Sequence, residues 1–122
     1  MYQVSVEGYF DAAHYLRDYG GKCENLHGHR FKVVVSLKAT KLNDIGLAYD
    51  FVELKRHLGN AIARFDHTCI NDVPPFDKIN PSSENMAVTI YDELKGHFSE
   101  GVSLARVEVW ESPQSCAAYS PE

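Results

Sequence analysis

The sequence predicts an α+β domain: four antiparallel strands forming a sheet, with two helices on one of its faces. Three observations predict it. Apolar and polar residues alternate over 2–10, 29–40 and 104–111, the period of a half-buried strand. Between them the period changes to that of a helix in two stretches. The resulting order is β-β-α-α-β-β, with the helices segregated between strands.

The elements follow in order. "YQVSVEGYF", residues 2–10, reads as the first strand. Residues 11–27 read as a loop, broken by "DYGGK". "HRFKVVVSLKAT", 29–40, is the second strand, and "KLNDIG" a turn. Phe51, Leu54, Leu58, Ile62 and Phe65 share one helical face, with Asp50 and Glu53 as a capping-box variant. "NDVPPFDKINPSS", 71–83, is a proline-rich loop. Ser82 or Ser83 can cap a second helix whose apolar stripe is Met86, Ile90, Leu94 and Phe98. "SCAAYS", 115–120, can be a last short strand. Such a sheet has two open edges that a lone chain must protect, and pairing between subunits would do so.

The 122 residues suit one domain, 1–122. An apolar fraction of 44% and a charged fraction of 24% are ordinary for a globular chain that buries a core. The net charge of −5 argues against a nucleic-acid partner, which needs a basic face. It leaves room for a local pocket that takes a small anion. Cys23, Cys69 and Cys116 are too few, and odd in number, for a disulfide framework, so a reducing compartment is expected. No apolar run approaches a membrane span, and the N-terminus lacks the pattern of a signal peptide. A cytoplasmic protein with no membrane partner is expected.

The chemistry concentrates in "CENLHGHR", 23–30. His27 and His29 are two apart at the head of a strand and point to one face, so their imidazoles can share a metal. His14 follows the first strand in "FDAAHYL" and lies beside them if the two strands pair. Three histidines with an open fourth position are the pattern of a catalytic zinc site. Cys23, four residues before His27, can close that site as a fourth ligand or stand over it as a base; spacing does not decide. In "RFDHTCIN", Asp66 and His67 are the parts that turn a thiol into a thiolate, or a plain helix end. Glu111 ends a strand in "VEVWES" and could accept two adjacent N–H groups of a ligand. His57 and His97, each alone on a helix, read as surface or core residues.

"FDAAHYL", "CENLHGH", "YDFVELK", "FDHTCIN", "PSSENMA" and "VWES", in this order and spacing, resemble the 6-pyruvoyltetrahydropterin synthase family over nearly the whole chain. The Cys-x-x-x-His-Gly-His spacing is similar to its bacterial 6-carboxy-5,6,7,8-tetrahydropterin synthase branch, of queuosine biosynthesis. Ser82 stands where the family more often has Thr, and "ESPQS" after Glu111 differs from several relatives. The resemblance implies the tunnelling fold, with three subunits closing a barrel, two trimers forming a homohexamer, and active sites between subunits. It implies a zinc-dependent lyase acting on a pterin triphosphate. His14, His27 and His29 would hold Zn2+. Cys23 would be catalytic, with Asp66 and His67. Glu111 would grip the pterin ring, with Ser82 and Ser83 as candidate contacts.

Overall fold

The computed structural model describes residues 1–98 and 100–122. The elements in chain order are β1 (Tyr2–His14), β2 (His27–Ala39), α1 (Phe51–Ile62), β3 (Thr68–Cys69), α2 (Ser83–Leu94), β4 (Val102–Ser112) and β5 (Ser115–Tyr119). The sheet order is β3-β1-β2-β4-β5. The four long strands are antiparallel neighbours, but β3 runs parallel to β1 through Ala12–Thr68 and Ala13–Cys69. The sheet is thus mixed and five-stranded, rather than four-stranded and antiparallel. Two residues carry no period, so alternation cannot announce β3.

β1 also runs four residues past its expected end. Residues 11–14 are strand rather than loop, and β2 begins at His27. The pairing is continuous from Tyr2–Ala39 to His14–His27. Inward side chains alternate along both strands, from Val6, Phe10 and Ala12 to His14, and from Leu37, Val35 and Val33 through Phe31 to His29 and His27. The histidines therefore extend the row that forms the core.

α1 lies over β1. A Cβ at Gly8 would sit 3.1 Å from Leu58 Cδ2 and 3.2 Å from Ile62 Cδ1, so the missing side chain lets the helix approach. Leu54, Leu58, Ile62 and Phe65 are buried as the helical spacing predicts, whereas Phe51 is 50% exposed at the first turn. Asp50 caps α1 by accepting from the Val52 N–H. Glu53 does not complete a capping box; it pairs with Arg56 at 2.8 Å. α2 covers β4 and β5: the Tyr91 hydroxyl donates to Leu104 O at 3.1 Å, and its ring meets that of Tyr119 at 5.0 Å. Ser82 is the N-cap, accepting from the Asn85 N–H at 3.1 Å. Met86, Ile90 and Leu94 are buried, and Phe98 packs against the core from its border.

At the site end of the sheet the core is aromatic. Phe10 stacks on Phe31 at 4.9 Å, and Phe65 bridges Phe10 and Phe76 at 5.7 and 5.8 Å. No helix among the described residues is long and apolar enough to cross a membrane.

Candidate active site

His14 is the last residue of β1 and His27 the first of β2, and the two are directly paired. His29 is two residues on, opposite Ala12. The period of a strand puts all three on the helix-covered face, as the spacing of His27 and His29 requires. Their ring centroids lie 4.6, 4.8 and 5.2 Å apart. Phe31 stands edge-on to His14 at 5.3 Å and to His29 at 5.5 Å, a wall that limits how those rings turn.

Backbone carbonyls fix the tautomers. His14 Nδ1–H donates to Pro81 O at 2.8 Å, and His27 Nδ1–H donates to Asn25 O at 2.6 Å. A carbonyl only accepts, so in both rings Nε2 keeps a free lone pair. Nε2 of His14 and Nε2 of His29 are buried with no hydrogen-bond partner. Buried nitrogens are rarely left so, and a ligand is the usual reason. One donor atom from each of the three histidines lies within 4.8 Å of the others. Burial holds both His14 and His29 below the ordinary imidazole pKa, partly offset for His14 by the Pro81 carbonyl. The neutral ring is the form that binds a metal. An all-imidazole donor set with orphaned, converging nitrogens fits a divalent ion of the zinc kind.

Two cavities adjoin this cluster. One, of about 200 Å³, is lined by His14, Leu16, Cys23, Ser82, Ser83, Glu84, Glu111 and Ser115–Ala117. The other, of about 240 Å³, is lined by Lys22, Cys23, His27, His29 and Glu111. Cys23 and Glu111 line both. The sulfur of Cys23 does not join the three nitrogens in the candidate metal group. Glu111 lies where the β4–β5 register slips between Trp110 and Ser112, which leaves it out of the ladder. Its Oε2 is 3.9 Å from His14 Nε2. Ser82 and Ser83 open α2 on the cavity wall. The Ser82 oxygen is used as the helix cap, whereas Ser83 Oγ is buried without a partner.

Asp66 and His67 lie elsewhere. Neither lines a cavity that holds Cys23. They staple the chain to β1: Asp66 Oδ1 accepts from the Asp11 N–H at 2.9 Å, and the His67 N–H donates to Asp11 O at 2.6 Å. His67 adopts a φ of +59°, which swings the chain from the end of α1 into β3. Although adjacent in sequence, the two side chains do meet, with His67 Nδ1 3.0 Å from Asp66 Oδ2. The Asp11 N–H, with His67 beside it, holds the Asp66 carboxyl below the usual carboxylate range. Both side chains are exposed, His67 at 79%.

The segment that presents Cys23 is held by residues that sequence reasoning missed. Asn71 accepts from the Tyr15 N–H and donates to Tyr15 O, both at 3.0 Å. Asn80 does the same for Arg17, at 2.9 and 3.0 Å. Each amide replaces one strand's worth of pairing. The Leu16 N–H then donates to Cys23 O at 2.7 Å. Asn71 and Tyr15 are 56 residues apart, and no local pattern links them.

A model of the 6-pyruvoyl tetrahydropterin synthase family matches residues 3–122. A Synechocystis protein named 6-carboxy-5,6,7,8-tetrahydropterin synthase is 35% identical over 98% of this chain and 93% of its own. Human 6-pyruvoyl tetrahydrobiopterin synthase is 35% identical over 84% of this chain and 72% of its own. The solved structure of the Caenorhabditis elegans 6-pyruvoyl tetrahydropterin synthase superposes with a TM-score of 0.85 at 28% identity, covering 100% of this chain and 98% of that one. The fold is the tunnelling fold that the sequence motifs implied. With six motifs in register, the same strand and helix order and a family match over nearly every residue, the chain belongs to the 6-pyruvoyl tetrahydropterin synthase family.

Proposed function

We propose that the protein is a zinc-dependent 6-carboxy-5,6,7,8-tetrahydropterin synthase of queuosine biosynthesis. It converts 7,8-dihydroneopterin triphosphate to 6-carboxytetrahydropterin, releasing triphosphate and acetaldehyde. The observation that carries this reading is the convergence of His14, His27 and His29, two of them with orphaned buried Nε2 atoms, beside cavities shared by Cys23 and Glu111.

In this reading His14, His27 and His29 hold Zn2+ through imidazole nitrogens. Zinc, when bound, supplies Lewis acidity that lowers the cost of negative charge on the substrate's side-chain oxygens. Cys23, outside the metal group, takes and returns protons on the substrate side chain as a thiolate. Glu111 accepts two adjacent N–H groups of the pterin ring, which fixes the ring's orientation. The Ser83 hydroxyl, free of any partner in the fold, offers the ring a further hydrogen bond, and the Ser82 hydroxyl hydrogen is also free to donate.

Asp66 and His67 are the proposed proton shuttle for Cys23, supplied by a neighbouring subunit. Two features support this. The pair is exposed and absent from the cavities of Cys23 in its own chain. The sheet also ends in open edges, since β3 pairs with β1 only at Ala12 and Ala13 and nothing among the described residues pairs beyond β5. Closure of those edges between copies gives the proposed homohexamer of two stacked trimers. Three free cysteines support the cytoplasm as the place of action.

A second reading, in which reaction stops after triphosphate elimination at a 6-pyruvoyl product, is favoured by the human relative. Against it stands the Cys-x-x-x-His-Gly-His spacing of residues 23–29. Incubation with dihydroneopterin triphosphate and mass spectrometry of the products separates the two. Acetaldehyde with 6-carboxytetrahydropterin supports the first reading; a 6-pyruvoyl product without acetaldehyde supports the second.

A further inference from the structure

The proposed substrate carries three phosphates, and the pocket must meet that charge. The cavities around the histidines present the carboxylates of Glu84 and Glu111 and one cation, Lys22. Lys22 shares its cavity with Cys23, His27, His29 and Glu111. Among the described residues it makes no ion pair.

Arg17, the other cation near the site in sequence, is already committed. Its guanidinium donates to Ile79 O at 3.2 Å and Phe76 O at 2.9 Å, and lies 5.5 Å from the centre of the Tyr15 ring. A guanidinium spent on carbonyls and a ring holds a loop in place; it does not await an anion.

The backbone at Lys22 is fixed while its side chain is free. Lys22–Glu24 is a single 3-10 turn in which Lys22 O accepts from the Asn25 N–H at 3.0 Å. The neighbouring Cys23 O accepts from the Leu16 N–H at 2.7 Å. A fixed stem with a mobile ammonium at its tip is a point charge that can follow a flexible phosphate chain. We infer that Lys22 binds the phosphate chain of the substrate, and so positions the substrate side chain between Cys23 and the histidines. This rests on the triphosphate substrate proposed above.

The test compares the zinc-loaded full chain with Lys22→Ala and Lys22→Arg. Inorganic triphosphate is titrated calorimetrically, neopterin binding is followed by fluorescence quenching, and KM and kcat are measured with dihydroneopterin triphosphate. Lys22→Ala is expected to weaken inorganic triphosphate and to raise KM by roughly tenfold to a hundredfold, the range for losing a hydrogen bond to a charged group. Neopterin, which has no phosphate, is expected to bind both forms within twofold. Lys22→Arg is expected to restore most of the loss. Unchanged triphosphate affinity in Lys22→Ala overturns the inference. So does an equal loss for neopterin, which marks a folding defect, or a fall in kcat alone, which marks an effect on Cys23. Wild-type protein that binds triphosphate through Lys22 yet turns over no substrate sustains this anion site and overturns the proposed reaction.

Discussion

Asn71 is the most informative single residue in the support of the site, and Asn71→Ala tests that directly. Its side chain is 3% exposed, and its amide takes both backbone groups of Tyr15, each at 3.0 Å. The substitution removes two hydrogen bonds, and neither partner can turn to a neighbouring strand, because β1 has ended at His14. At roughly 0.5–1.5 kcal/mol net for each bond, the loss is about 1–3 kcal/mol, and more where the Tyr15 groups stay dry. A cavity the size of the lost amide adds to this. Urea unfolding at fixed protein and zinc concentration reads the change as a lower midpoint with an unchanged slope. Tyr15 precedes Leu16, whose N–H holds Cys23, so turnover is expected to fall as well while zinc content stays the same. Asn71→Asp keeps the acceptor for the Tyr15 N–H but sets a carboxylate against Tyr15 O, so it should not rescue. A midpoint shift worth less than about 0.5 kcal/mol for Asn71→Ala, the scatter of ordinary surface substitutions, would refute the view that this amide anchors the Cys23 segment.

Further outcomes follow from the same geometry. Cys23→Ala should keep zinc and a sound fold and lose turnover by about 10²–10⁴, the usual worth of a general acid–base group, whereas His29→Ala should lose zinc in metal analysis. Ser82→Ala should cost about 1 kcal/mol as a lost N-cap, while Ser83→Ala, whose hydroxyl has no partner in the fold, should leave unfolding unchanged and weaken pterin binding. His57, packed on His97 at 4.5 Å, has its pKa lowered by burial, then by His97 and Arg56, against the opposing pull of Glu53. The unfolded chain therefore binds the proton first. The contribution is complete above the unfolded imidazole range and is lost as pH falls from there toward the folded value. His57→Gln should flatten the slope of stability against pH in that window, and an unchanged slope would remove His57 as its source.

The histidine cluster was legible because strand period is a strong local signal. His27-Gly28-His29 had to share a face, and one assumption, that the first two strands pair, brought His14 beside them. The helices were legible through Leu54, Leu58 and Ile62 and through Met86, Ile90 and Leu94. The ends of elements were less so. β1 continues to His14 because Asp66 and His67 saturate Asp11 and β3 adds a parallel pair, contacts made from more than fifty residues away. Phe51 fits the helical stripe, yet half of it stays in solvent at the first turn. The Asn71 and Asn80 clamps were invisible for a similar reason. A buried asparagine that mimics a strand looks in sequence like any loop asparagine. Cys116 and Ser115 reach the cavity only because β5 folds back beside Glu111.

The central claim is that this histidine-lined pocket converts a pterin triphosphate to its 6-carboxy product. The direct measurement is product analysis on the zinc-loaded protein with 7,8-dihydroneopterin triphosphate. The expected result is one acetaldehyde and one triphosphate per 6-carboxytetrahydropterin, abolished by Cys23→Ala with zinc retained. A 6-pyruvoyl product without acetaldehyde, or no turnover by protein that carries its full zinc, would contradict it.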